Sequence, residues 1–193
     1  MSSFDVSWLE PVLIAMGLSI AAGFRVFVPF WVLSGGALFV HLPLDSDLLW
    51  LDTYPVFIAL SLALVIELLS YSIPWLDNAT DLLALPAAAI AGTILMGSAA
   101  DSLEPFWRWS LAIVAGGGSA AAIKSVSGLG RLFSTATTGG LGNILIALGE
   151  LFAAMSFSWL ALLFPLLTVA FAIATGIVIV FLIRRQRIRP SSS

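Results

Sequence analysis

Two carboxylates stand where hydrocarbon would be expected. Glu67 lies within YPVFIALSLALVIELLSYS and Glu150 within LGNILIALGELFAAMS, and an ionisable group inside so apolar a run is a functional candidate by default. Glu67 shares a helical face with Ser70 and Tyr71 at i+3 and i+4, so it could carry a proton or bind a cation. The plainer reading is a pair with Arg25 or a reach to the membrane interface. Glu150 follows Asn143 by seven residues on one face. It could join the same polar cavity as Glu67, or make a hydrogen bond that only holds two helices together.

Three further stretches carry polar chemistry. In IPWLDNATD, Asp77 and Asp81 are four apart and can share a face. Capping of a helix that starts near Leu82 is the simpler role for Asp77, and Asp81 stays open. If KSVSGLGR is helical, Lys124, Ser127, Gly128 and Arg131 form one stripe that suits an anionic group. The alternative is a cytoplasmic rim, which charge alone slightly favours. In STATTGGLGN, Gly139 and Gly140 let the backbone turn, and the hydroxyls of Thr135, Thr137 and Thr138 can satisfy peptide groups that lipid would leave unpaired. We expect a re-entrant break there, with the next helix presenting its N-terminal amides to a carboxylate or phosphate near Lys124 and Arg131. The competing expectation is a cytoplasmic turn capped by Thr138, in which nothing binds.

The candidate solute- or ion-binding set is therefore Arg25, Glu67, Asp77, Asp81, Lys124, Arg131, Thr135, Thr137, Thr138, Gly139, Gly140, Asn143 and Glu150. No catalytic residue, metal ligand or cofactor site is expected. The single His41 has no cysteine or second histidine to complete a metal site or triad. GGGSA misses the nucleophile-elbow pattern at its last glycine, and no phosphate or dinucleotide loop is present. The protein is not expected to be an enzyme.

The elements that must hold these residues follow from composition. The 193 residues are 60% hydrophobic and 10% charged, with a mean hydropathy of +1.08, far from a soluble domain. The apolar residues come in continuous blocks near the roughly 20 residues that a helix needs to cross a bilayer. This predicts an all-α, polytopic transmembrane bundle: one integral membrane domain over 1–193, ending in a basic cytoplasmic tail over 184–193. Seven segments are expected: Ser7 to Ala22, Val26 to Val40, Tyr54 to Ser72, Leu82 to Ala99, Phe106 to Ile123, Leu141 to Ser156 and Trp159 to Ile183. Several are short, and the first two, separated only by GFR, are either tilted short helices or the arms of a re-entrant hairpin. VFIAL at Val56 resembles ILIAL at Ile144, as an inverted repeat would require. However, no single register aligns both the IAL triplets and the glutamates, so the repeat stays open.

The distribution of Lys and Arg orients the chain. With the N-terminus outside and all seven segments crossing, Arg25, Lys124, Arg131 and the tail RRQRIRP fall on the cytoplasmic side. The outer loops HLPLDSDLLWLD and ADSLEP then hold no Lys or Arg. Arg108 disobeys, and within WRW it reads as a snorkelling cation in an aromatic belt. The tail is expected to anchor topology on anionic lipid rather than bind nucleic acid. The first residues lack a basic signal-peptide region, so the N-terminus is expected to be retained.

AAGFRVFVP, IPWLDNATD and STATTGGLGN, with GELFA after them, resemble a bacterial membrane family catalogued as domain of unknown function 4126, over roughly Met16 to Pro165. The resemblance implicates Gly23, Arg25 and Pro29 in the first motif and Glu67, Pro74 and Asp77 in the second. In the third it implicates Ser134, Thr135, Thr137, Thr138, Gly139, Gly140, Gly142, Asn143 and Glu150. The chain departs from the family pattern at Ile144, Leu151 and Leu85-Pro86. The resemblance implies a bacterial inner (plasma) membrane location and supplies no substrate. The expected function is a small secondary transporter or channel for an ion or small anionic solute. The alternatives are a lipid or lipid-carrier translocase, scramblase-like, and a scaffold that transports nothing. The expected partners are membrane lipids, the unidentified solute and further copies of the chain.

Overall fold

The computed structural model describes the backbone of residues 8–70 and 74–187, and the side chains of residues 8–69, 83–174, 176 and 177. Among these residues every regular element is helical: α1 (Leu9–Phe24), α2 (Phe27–Val40), a 3-10 turn (Ser46–Leu51), α3 (Tyr54–Ser70), α4 (Pro74–Ala99), α5 (Pro105–Leu111), α6 (Gly118–Thr138), α7 (Asn143–Leu163) and α8 (Pro165–Arg187). A π-helical turn, Ala112–Gly117, joins α5 to α6, so residues 105–138 form one helix of 34 residues. This helix and α7 are long and apolar enough to cross a membrane. At 1.5 Å per residue, α1 and α2 rise only about 24 and 21 Å, short of a hydrocarbon core of about 30 Å.

The chain therefore has the expected helical character with shifted boundaries, and proline explains two of the shifts. The fourth helix opens at Pro74, not near Leu82, because proline is suited to the first helical position. Asp77 thus falls inside α4 rather than capping a helix at 82. The side chains of Asp77 and Asp81 lie outside the described residues, as do those of Ser70 and Tyr71 and the structure of 188–193. The sixth segment runs on to Leu163 and breaks at Phe164 (φ −143°, ψ 66°), just before Pro165, whose ring disfavours helical geometry in the preceding residue. Ser158, near the expected break, instead stays helical by donating to the Ala154 carbonyl at 2.8 Å. The fifth segment does not stop at Ile123, and KSVSGLGR is helical.

Packing centres on α1, which touches α4, α6, α7 and α8. Its residues from Gly17 to Gly23 are all buried, as expected of a helix apolar on every side. Leu18 and Ala22 of α1 meet Phe30 and Leu33 of α2, Leu95 of α4 and Ala161 of α7 in the main core. Small residues set the helix spacing. A Cβ on Gly92 of α4 would overlap the Gly116 carbonyl oxygen, and one on Gly116 would overlap that of Gly92, so the two backbones are in direct contact. Beside them the Ser19 hydroxyl faces the carbonyls of Ala15 (2.7 Å) and Gly92 (3.0 Å).

The outer surface is as apolar as the core. Phe133, Leu141 and Leu145 are 73%, 82% and 73% exposed, an arrangement that water penalises and hydrocarbon tolerates. At the end of the molecule formed by residues 41–53 and 100–104, Arg108 is tied down rather than snorkelling. It pairs with Asp47 and donates from Nε to the Gly97 carbonyl at 2.8 Å. Close by, burial and then the Asp101 and Asp47 charges hold the Asp45 carboxyl above the ordinary carboxylate range.

Candidate functional site

The site begins where α1 stops. Arg25 adopts an extended backbone (φ −142°, ψ 119°), which ends the helix and turns the chain into α2 within two residues. Gly23 lets α6 pack directly on this corner, because a Cβ there would overlap the Ala120 carbonyl and Ile123. The corner carries the Arg25 side chain into the protein, where the residue is fully buried.

Three helices supply its surroundings. From α7, the Ala147 carbonyl accepts a hydrogen bond from Arg25 Nη2 at 2.9 Å, and the Glu150 carboxylate lies 3.7 Å from the same nitrogen. From α3, Glu67 reaches Arg25 Nη1 at 3.5 Å. From α6, Arg131 grips Glu150 through Nε (3.2 Å) and Nη2, and the Ser127 hydroxyl donates to the same carboxylate. Lys124 donates to the Phe24 carbonyl at 3.4 Å, which places a cation at the negative end of the α1 dipole. Five charged residues predicted from sequence thus converge: Arg25, Glu67, Lys124, Arg131 and Glu150. Ala147 lies four residues into α7, about 6 Å of helix rise from its start, and Arg25, Lys124, Arg131 and Glu150 are all buried.

The cluster is asymmetric in a chemically useful way. Glu150 is clamped by a guanidinium fork and a hydroxyl, the strong kind of charge-assisted contact. Glu67 pairs with Arg25, its side chain 10% exposed. Arg25 thus stands between two carboxylates from different helices, at 3.5 and 3.7 Å.

The threonine-glycine stretch does something else. It closes a helical hairpin. Ser134, Thr135, Thr137 and Thr138 form the last turn of α6, residues 139–142 make a tight turn, and Asn143 opens α7. Gly139 (φ 64°) and Gly140 (φ 92°) take the left-handed conformations the reversal needs. Two of the amides at the start of α7 are taken up locally: Gly142 N–H donates to Thr138 Oγ1 at 3.0 Å and Asn143 N–H to the Gly140 carbonyl at 3.0 Å. Asn143 Nδ2 reaches Thr135 Oγ1 at 3.1 Å, tying α7 to α6, while Thr137 bonds the Phe133 carbonyl and stays exposed. The stretch is thus the strap of the α6–α7 hairpin that carries Arg131 and Glu150.

Sequence reasoning placed Ser127 in the cationic stripe without giving it a role, and it missed the carbonyls of Phe24 and Ala147. Backbone acceptors have no sequence signature. One neighbouring feature was also unforeseen: an apolar cavity of about 710 Å³ between α1, α6, α7 and α8, reached by Ser127 and Glu150 at its wall. No curated protein and no solved structure matches the chain. A family model described as Domain of unknown function (DUF4126) does match, over residues 12–185, and the chain belongs to that family.

Proposed function

We propose that this chain is a small secondary transporter, embedded in a bacterial inner membrane, that moves an ion or small anionic solute by charge exchange at Arg25. One observation carries the reading: a fully buried arginine at the corner between two short helices faces glutamates from two separate helices. Burying that much charge is costly unless the arrangement is used or very well paired. In this reading Glu67 is the exchanging carboxylate, and Glu150 is the fixed one, held by Arg131 and Ser127.

The test uses purified protein in vesicles, compared with protein-free vesicles, with an internal pH dye, under imposed gradients of chloride, phosphate or sulfate. At least one anion gradient is expected to drive proton movement in the wild type, and Glu67→Gln is expected to abolish it while the protein stays folded. Absence of anion-driven proton movement from folded wild type, or full retention in Glu67→Gln, would overturn the reading.

The proposed orientation puts the N-terminus outside and the C-terminus in the cytoplasm, because Arg25, Lys124, Arg131 and the tail arginines then share one side. Reporter fusions after Asp47 and after Ser193 should report opposite compartments. Identical reports would refute it.

A further inference from the structure

We infer that the cavity between α1, α6, α7 and α8 binds the hydrocarbon chain of a membrane lipid, with the Ser127–Glu150 pair at its polar edge. Three glycines support this, one from each of three helices. Gly130 of α6, Gly149 of α7 and Gly176 of α8 all line the cavity, and among the described residues a Cβ on any of them would meet nothing within 4 Å. Helical glycine is destabilising relative to alanine. At Gly92 and Gly116 direct backbone contact offsets that cost, and no such contact exists at these three positions. What they do share is the open space itself.

The walls select the occupant. Phe157 is in ring contact with Phe24 (5.7 Å between centroids, 26° between planes) and with Phe171 (6.0 Å), giving one flank an aromatic surface. The polar atoms within reach are already engaged, since Ser127 donates to Glu150 and Arg131 grips the same carboxylate. A hydrated ion would find no ligands here, and water in an apolar cavity lacks partners. A lipid chain restores the dispersion contacts that an empty cavity of this size forfeits. Gly130, Gly149 and Gly176 are exposed, so the cavity opens sideways to the apolar surface, where a chain can enter. This assignment holds whether or not the protein moves a solute.

The experiment reconstitutes the full chain in phospholipid vesicles containing a tracer phosphatidylcholine with a diazirine near the end of one acyl chain. After irradiation, the labelled peptides are mapped by mass spectrometry. Labelling is expected to concentrate on residues around Gly130, Phe157 and Phe171, above the level at equally exposed apolar positions such as Leu62 and Val114. Gly149→Leu and, separately, Gly176→Leu should each lower that labelling roughly tenfold, the effect of displacing about two methylenes from the walls. Gly128→Leu, which also has open space but lies outside the cavity, should leave it unchanged. Melting temperatures of the glycine variants should not fall, because leucine is the better helix former. Labelling spread evenly over all exposed helices, or undiminished in both cavity-filling variants, would overturn the assignment.

Discussion

Arg25→Met is expected to destabilise the protein by about 3–5 kcal/mol, the cost of removing one partner from a buried ion pair. The substitution keeps most of the volume but takes away the donor to the Ala147 carbonyl and the cation facing both Glu67 and Glu150. Glu150 retains Arg131 and Ser127, while Glu67 loses its pairing with Arg25. The double variant Arg25→Met/Glu67→Gln is therefore expected to recover part of the stability. Thermal unfolding in a single detergent measures both. A neutral Arg25→Met, or a double variant no better than the single, would show that the network contributes little to the fold.

The second large effect lies where two backbones touch. Gly116→Val and Gly92→Val should each cost about 3 kcal/mol or more, the upper range for overpacking, because the new side chain would meet a carbonyl oxygen of the facing helix. Backbone cannot swing aside as a side chain can. Gly128→Ala serves as the matched control. It has open space around it and is expected to raise stability by up to about 1 kcal/mol through helix propensity alone. Equal effects at the two kinds of glycine would contradict the close approach of α4 to the π-helical turn.

That contrast also shows what a sequence of this kind reveals. The helical blocks were legible because continuous apolar runs near membrane length leave few alternatives, and Glu67, Glu150 and Arg25 were legible because charge inside such runs is conspicuous. The convergence of Lys124, Ser127 and Arg131 followed once KSVSGLGR was taken as helical. The sixth segment reads from sequence as ending at Ser156, but the helix runs on through Ser158, whose hydroxyl bonds within it, and the decisive Pro165 sits inside an apolar run. STATTGGLGN was ambiguous because hydroxyls and glycines that would line a binding break are the same residues that close a hairpin. The cavity had no signature at all. A glycine that admits a neighbouring backbone and a glycine that leaves a space are spelled alike.

The burial of Arg25 also has a consequence in time. The chain is synthesised from its N-terminus, so Arg25 is made 42 residues before Glu67 and 125 before Glu150. At about 5–20 residues per second, those intervals are roughly 2–8 s and 6–25 s. For that period α1 and α2 carry a guanidinium at their shared corner before either carboxylate exists. Two helices too short to span on their own can hold that corner at the water interface while they wait. Glu67 of α3 can then pair with the arginine first, and its remaining partners, the Ala147 carbonyl and Glu150, come only once α7 has been made. Closure of the charge cluster is thus a late step of assembly, scheduled by the order of the residues along the chain.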